Sequence, residues 1–160
     1  MNKGRRLLTV ILLTTFIIEC NNLILFGVDS RMIRTRHHSE DDFTRIREVF
    51  TGDEYTGNKL ILRSTAKREG LYFYIPLGPK KDSLQNAQIV ELNIIDSKNP
   101  SPRTFQFSMP PDFKKKKSLL LGITGKDWNE NVMDLIAWKV VISDSLKKNI
   151  LVSQSFLWSH

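Results

Sequence analysis

Cysteine is nearly absent from this 160-residue chain, and the one present, Cys20, cannot close an internal disulfide. Together with only three scattered histidines it cannot supply the four soft ligands of a structural zinc site. No uncharged run approaches the roughly 20 apolar residues that a membrane-spanning helix requires. Asn99 is followed by Pro100, and no Asn-x-Ser/Thr sequon occurs anywhere. Internal repeats and low-complexity segments are lacking too. With 41% hydrophobic and 26% charged residues the composition is that of a folded protein, which excludes a disordered, collagen-like or multi-span membrane chain. The length suits one domain rather than two full-size cores.

The amino terminus has the form of an export address. Lys3, Arg5 and Arg6 precede the uncharged run LLTVILLTTFII at 7–18, a basic region followed by an apolar one. Extending that run to Val28 would bury Glu19, Asn21 and Asn22, and a carboxylate at the bilayer centre costs on the order of 3 kcal/mol. Cys20 follows directly, in FIIEC before two asparagines. This segment resembles a bacterial lipoprotein signal, which implies that Cys20 is the lipidated first residue of the mature protein. It departs from that family at Glu19, where a small residue is the rule. An uncleaved membrane anchor and ordinary secretion stand as alternatives, and all three place the domain outside the cytoplasm, in a bacterial cell envelope.

Residues 29–39, DSRMIRTRHHS, are charged and aperiodic. They predict a solvated tether whose Arg31, Arg34 and Arg36 could add to membrane attraction at about 1 kcal/mol each near anionic lipid. Ser39 and Asp42 have capping-box spacing, and Phe43, Ile46 and Phe50 lie about a turn apart, which predicts a short helix docked by one apolar stripe. The organisation expected is a signal segment over 1–20, a tether with a short helix over 21–57, and one domain over 58–160.

From residue 58 onward the period is two. In QIVELNII (88–95), Val90, Leu92 and Ile94 oppose Glu91 and Asn93. In RTFQFSM (103–109), Phe105, Phe107 and Met109 share a face, and in LIAWKVVIS (135–143) so do Ile136, Trp138, Val140 and Ile142. KLILRST from Lys59, GLYFYIPL from Gly70, SLLLGIT from Ser118 and NILVSQSFLW from Asn149 complete seven strands, the last carrying Ile150, Val152, Phe156 and Trp158 at even spacing. Gly and Pro punctuation separates them, so an all-β, antiparallel β-sandwich or barrel of about seven strands is expected. Ala137, Trp138, Lys139 and Val140, followed by the loop 143–148, resemble the end of an immunoglobulin-like or fibronectin-type-III-like sandwich, with Trp138 as a core anchor. The antibody-type cysteine pair is absent.

Motifs for chemistry are sparse. GITGK at 122–126 lacks the first glycine of a phosphate-binding loop, where Leu120 stands, and has Asp127 in place of Ser/Thr after the lysine. Asp127, Asn129 and Asn131 open with calcium-loop spacing, yet Val132 and Trp138 occupy the positions of the required Gly and Glu. His37 and His38 are adjacent in the tether and His160 ends the chain. No nucleophile elbow or carboxylate pair is evident, so neither an enzyme, a metal nor a cofactor is expected. The sharpest charge feature is Lys114, Lys115, Lys116 and Lys117, joined in other loops by Lys80, Lys81, Lys147 and Lys148. The chain carries +7; residues 1–19 contribute three positive charges and one negative, leaving +5 on the remainder. These lysines are candidate contacts for an anionic lipid or glycan, or else protect a sheet edge; without interleaved aromatics they do not suggest nucleic acid. The expectation is a non-catalytic envelope protein, lipid-anchored or held by its N-terminus, that binds or builds. An adhesin-like domain using the lysine loops is the alternative, and a hydrolase sited in the loops a third.

Overall fold

A computed structural model describes residues 32–78 and 82–159. Cys20, Lys80, Lys81 and His160 lie outside them. Eight strands form two four-stranded sheets: β1 (Arg34–His38), β2 (Lys59–Arg63), β3 (Gly70–Pro76), β4 (Ile89–Asp96), β5 (Arg103–Ser108), β6 (Ser118–Thr124), β7 (Leu135–Ser143) and β8 (Asn149–Gln154). Helix is almost confined to one short segment, α1 (Ile46–Thr51). The first sheet has the order β1-β3-β6-β2 and the second β5-β4-β7-β8.

All seven strands expected from the alternation are present. Val90, Leu92, Ile94, Val140 and Ile142 are fully buried, because each strand turns its apolar positions inward at every second residue. One apolar cluster draws on both sheets, and Phe73 of β3 meets Trp138 of β7 edge to face, their ring centroids 6.0 Å apart. Strand β6 is buried from Leu119 through Thr124, as its unbroken apolar run predicts.

The eighth strand corrects the tether. Residues 34–38 pair along their whole length with β3, from Arg34 opposite Tyr74 to His38 opposite Gly70. The RTRHH sequence looked aperiodic because β1 is an edge strand, and its alternation is between a cationic face and a mixed one. The sheets are also not wholly antiparallel, since β2 runs parallel to β6. Strand β6 inserts between β2 and β3, so the 64–69 connection must cross its end. Ser64 donates to the Gly122 carbonyl, and Gly125 donates to that of Glu69.

Three further expectations fail locally. A three-residue 3-10 turn, Asp41–Phe43, precedes α1, which Gly52 ends in the left-handed region at φ 73°. Ile46 and Phe50 are 81% and 83% exposed, so the proposed stripe does not dock; only Phe43 packs inward. Beyond Gln154 the chain turns into a 3-10 segment, Phe156–Ser159, which leaves Phe156 exposed. Ile136 is likewise exposed while Ala137 is buried, because an irregularity at Ile95/Asp96 shifts the register where β7 begins.

Candidate functional site

The strand ends assemble a basic end of the molecule. Pro76, the last residue of β3, pairs with Ser118, which opens β6, and Lys59 opens β2 beside the same serine. Arg34, at the start of β1, lies opposite Tyr74 near that end. In the second sheet, Ile89 opens β4 opposite Ser108 and Ser143, which close β5 and β7. The connections β3–β4, β5–β6 and β7–β8 therefore emerge together. Backbone bonds tie them: Met109 donates to Gln88 at 2.8 Å, Gln88 to Ser143 at 2.9 Å, and Leu77 to Lys117 at 3.0 Å. Between the three loops lies a cleft of about 630 Å³, lined by Gln85, Gln88, Met109, Phe113, Lys114 and Leu146 among others.

The lysine run lies in one of these loops. Pro110 and Pro111 start a 3-10 turn (Pro111–Lys115) that Phe113 pins to the core. Lys114, Lys115 and Lys117 are exposed. Lys116 is not free: its ammonium donates to the Gly57 carbonyl at 3.0 Å and to Thr56 at 3.4 Å, fastening the 56–58 turn. In the neighbouring loop Lys147 adopts φ 59°, and the Asp144 carboxylate accepts the backbone N–H groups of Leu146 and Lys148, each at 2.9 Å. That turn presents Lys147, Lys148 and Leu146, the last 86% exposed.

A second polar assembly covers the outer face of the first sheet. Tyr72 and Leu120 are buried yet stand apart from the apolar cluster, and Phe43 of the 39–58 segment packs on Tyr72. His38 Nδ1 lies 3.0 Å from Asp42 Oδ2, and its Nε2 is bonded to the Tyr74 hydroxyl. The His38 hydrogen bond and the Ser39 backbone N–H hold the Asp42 carboxyl below its usual range. The Tyr74 hydroxyl meets Nε2, and burial pushes this phenol up and keeps it protonated. A cleft of about 360 Å³ adjoins the three, bordered also by Arg45 and Lys59. Beside it Arg63 binds Glu54 in bidentate fashion at 2.7 and 2.5 Å, lies over the Phe43 ring, and donates to the Tyr72 hydroxyl at 2.7 Å. Tyr72 in turn donates to the Arg68 carbonyl. Sequence reasoning placed His38 in a tether and missed this network. The Arg34, Arg36, His38 alternation was its signal, but Tyr74 is 36 positions away and only pairing brings them together.

The remaining candidates are dispersed. His37 Nδ1 lies 2.6 Å from Glu130 Oε2. Gly122 sits within β6 and Gly125 in the following turn at φ 56°, with Lys126 exposed, so GITGK is a strand end rather than a phosphate cradle. The Asn129 side chain accepts the Asn131 N–H at 3.1 Å, and the Asp127 carbonyl accepts from Arg103. No cluster of three or more His, Cys, Asp or Glu suited to a metal ion occurs among the described residues. No described helix is long and apolar enough to cross a membrane. Comparison with protein-family models, curated proteins and solved structures yields no match.

Proposed function

We propose that this chain is an exported, non-catalytic binding module of a bacterial cell envelope, attached to a membrane at its amino terminus through Cys20 or the apolar run before it. Its basic loop end takes an anionic ligand. The observation that carries this reading is the convergence of loops 109–117 and 144–148 with the 82–88 connection around one cleft. Within the described part of these loops only Asp82, Asp112 and Asp144 oppose the lysines, and the Asp144 carboxylate is engaged by its own turn. Clustered cations with few counter-charges raise the local concentration of an anion and steer it, an effect that salt screens.

The fold reading that accompanies this is a sandwich of immunoglobulin-like type. Strands β3 and β6 stand where B and E would, and β4, β7 and β8 where C, F and G would. The place of D is taken by β2, which runs parallel to its neighbour and departs from that pattern. On this reading the three loops are those at one end of the sandwich, a common location for binding residues.

Retention on a polysulfated glycan matrix and on phosphatidylglycerol vesicles tests the function. Binding should weaken steeply with salt and be lost in the Lys114→Glu, Lys115→Glu, Lys117→Glu variant. Salt-independent binding, or binding unchanged in that variant, would sink the proposal. The hydrolase alternative has one observation in its favour, the Asp42–His38–Tyr74 relay beside a cleft. Against it, the hydroxyl ending the relay is a phenol held protonated, which makes a poor nucleophile. Ester hydrolysis abolished by both His38→Ala and Tyr74→Phe would restore that reading.

A further inference from the structure

We infer that the anionic ligand is the headgroup surface of the same bilayer that holds the amino terminus, and that the domain docks on it with the basic loop end facing down. This inference rests on the proposed membrane attachment and anion binding, and it adds the identity of the ligand and the orientation of the domain.

Three observations carry it. The chain enters the fold at the basic end, because β1 starts with Arg34 opposite Tyr74 and runs away from that end toward His38 opposite Gly70. A membrane attachment at Cys20, or at the apolar run before it, therefore leads into this end; the stretch from Cys20 to Arg34 reaches at most roughly 50 Å when fully extended. The second observation is the polarity of charge along the strands. Arg34 and Lys59 join the exposed Lys114, Lys115, Lys117, Lys147 and Lys148 at this end, opposed in its loops by Asp82, Asp112 and the turn-engaged Asp144, so the cations stay in excess. At the opposite end the connections 64–69, 97–102 and 125–134 balance Lys67, Arg68, Lys98 and Lys126 against Glu69, Asp127, Glu130 and Asp134. An anionic plane thus attracts one end of the molecule and is nearly neutral to the other. The third is Leu146, 86% exposed at the tip of the β7–β8 turn beside Lys147 and Lys148. Met32, 57% exposed, lies just ahead of β1. An exposed leucine flanked by lysines matches the layered chemistry of a membrane interface, with phosphate outside and acyl chain within. A soluble polyanion would offer nothing to an exposed leucine.

The test uses the full chain in vesicles of phosphatidylcholine, with or without phosphatidylglycerol, and a water-soluble amine-acylating reagent whose rate is read at each lysine by mass spectrometry. Lys114, Lys115, Lys117, Lys147 and Lys148 should react several-fold more slowly on the anionic vesicles than on the neutral ones, while Lys67, Lys98 and Lys126 keep one rate on both. Leu146→Asp should remove part of that protection. The Lys114→Glu, Lys115→Glu, Lys117→Glu variant should weaken docking by roughly two orders of magnitude, read at Lys147 and Lys148. Equal rates on both vesicles, or protection at Lys67 and Lys126, would overturn the inference. If the loop-end lysines are shielded by a dissolved polysulfated glycan and not by vesicles, the inference falls while the anion-binding proposal stands. If neither shields them, both fall.

Discussion

Replacing Gly122 by alanine isolates one contact on which the outer face of the first sheet depends. A Cβ at this position would lie 2.6 Å from Cε1 and 2.9 Å from Cζ of Tyr72, closer than carbon atoms approach without displacement. The ring has no easy retreat. Tyr72 is fully buried, packs on Phe43 at 4.7 Å between centroids, and is held at its hydroxyl by Arg63 and by the Arg68 carbonyl. Overpacking a close-packed site costs about 1–3 kcal/mol. Against this, removing glycine stiffens the unfolded chain and returns about 0.4–1 kcal/mol. The expected net loss is about 1–2 kcal/mol, read as a lower urea midpoint at unchanged m, with Tm falling by roughly 3 °C for each kcal/mol. Tyr72→Leu alone should also destabilise, through the lost phenol bonds and ring contacts. Adding Gly122→Ala to Tyr72→Leu should then cost almost nothing, because the obstacle is gone, and the cycle should show a coupling of about 1 kcal/mol or more. A Gly122→Ala protein as stable as the parent, or strictly additive losses in the double variant, would refute the argument.

Two further outcomes follow from the same face. Arg63 holds the Glu54 carboxyl below its usual range, chiefly by hydrogen bonding. A carboxylate with a depressed folded-state pKa stabilises above its unfolded value, and that contribution is lost as pH falls through the folded one; Glu54→Gln should therefore lower stability at neutral pH and match wild type in strong acid, as urea midpoints across the acid range will show. His38→Ala removes the link between Asp42 and Tyr74 and should speed amide exchange over residues 39–58 while leaving the amides of β4 and β7 unchanged. Acceleration at β7 to the same extent would mean that the network supports the core rather than the cover.

Much of the fold was legible because the interior strands obey local rules. Val90, Leu92 and Ile94 can reach a core from a strand only at alternate positions, so their pattern names the structure before any partner is known. The failures share a cause as well. RTRHH is a strand because β3 offers it a complete row of hydrogen-bonding partners, and an edge strand with a cationic face has no apolar alternation to betray it. Ile46 and Phe50 have helical spacing, but spacing does not say whether a neighbour exists to cover them. The lysine run was visible as composition, yet its division into exposed Lys114, Lys115 and Lys117 and an engaged Lys116 was not, since the carbonyl at Gly57 is far away in sequence.

By itself the sequence determined the alternation of seven strands, the turns between them, the excess of positive charge, and the apolar run at 7–18, because each is a property of neighbours along the chain. Only the tertiary structure decided that β2 lies parallel to β6, that Asp42, His38 and Tyr74 form one network, and that lysines from separate loops gather at the end where the chain enters. Those are juxtapositions of residues distant in sequence, set by strand pairing and by the one apolar cluster that draws on both sheets, and no local pattern encodes them.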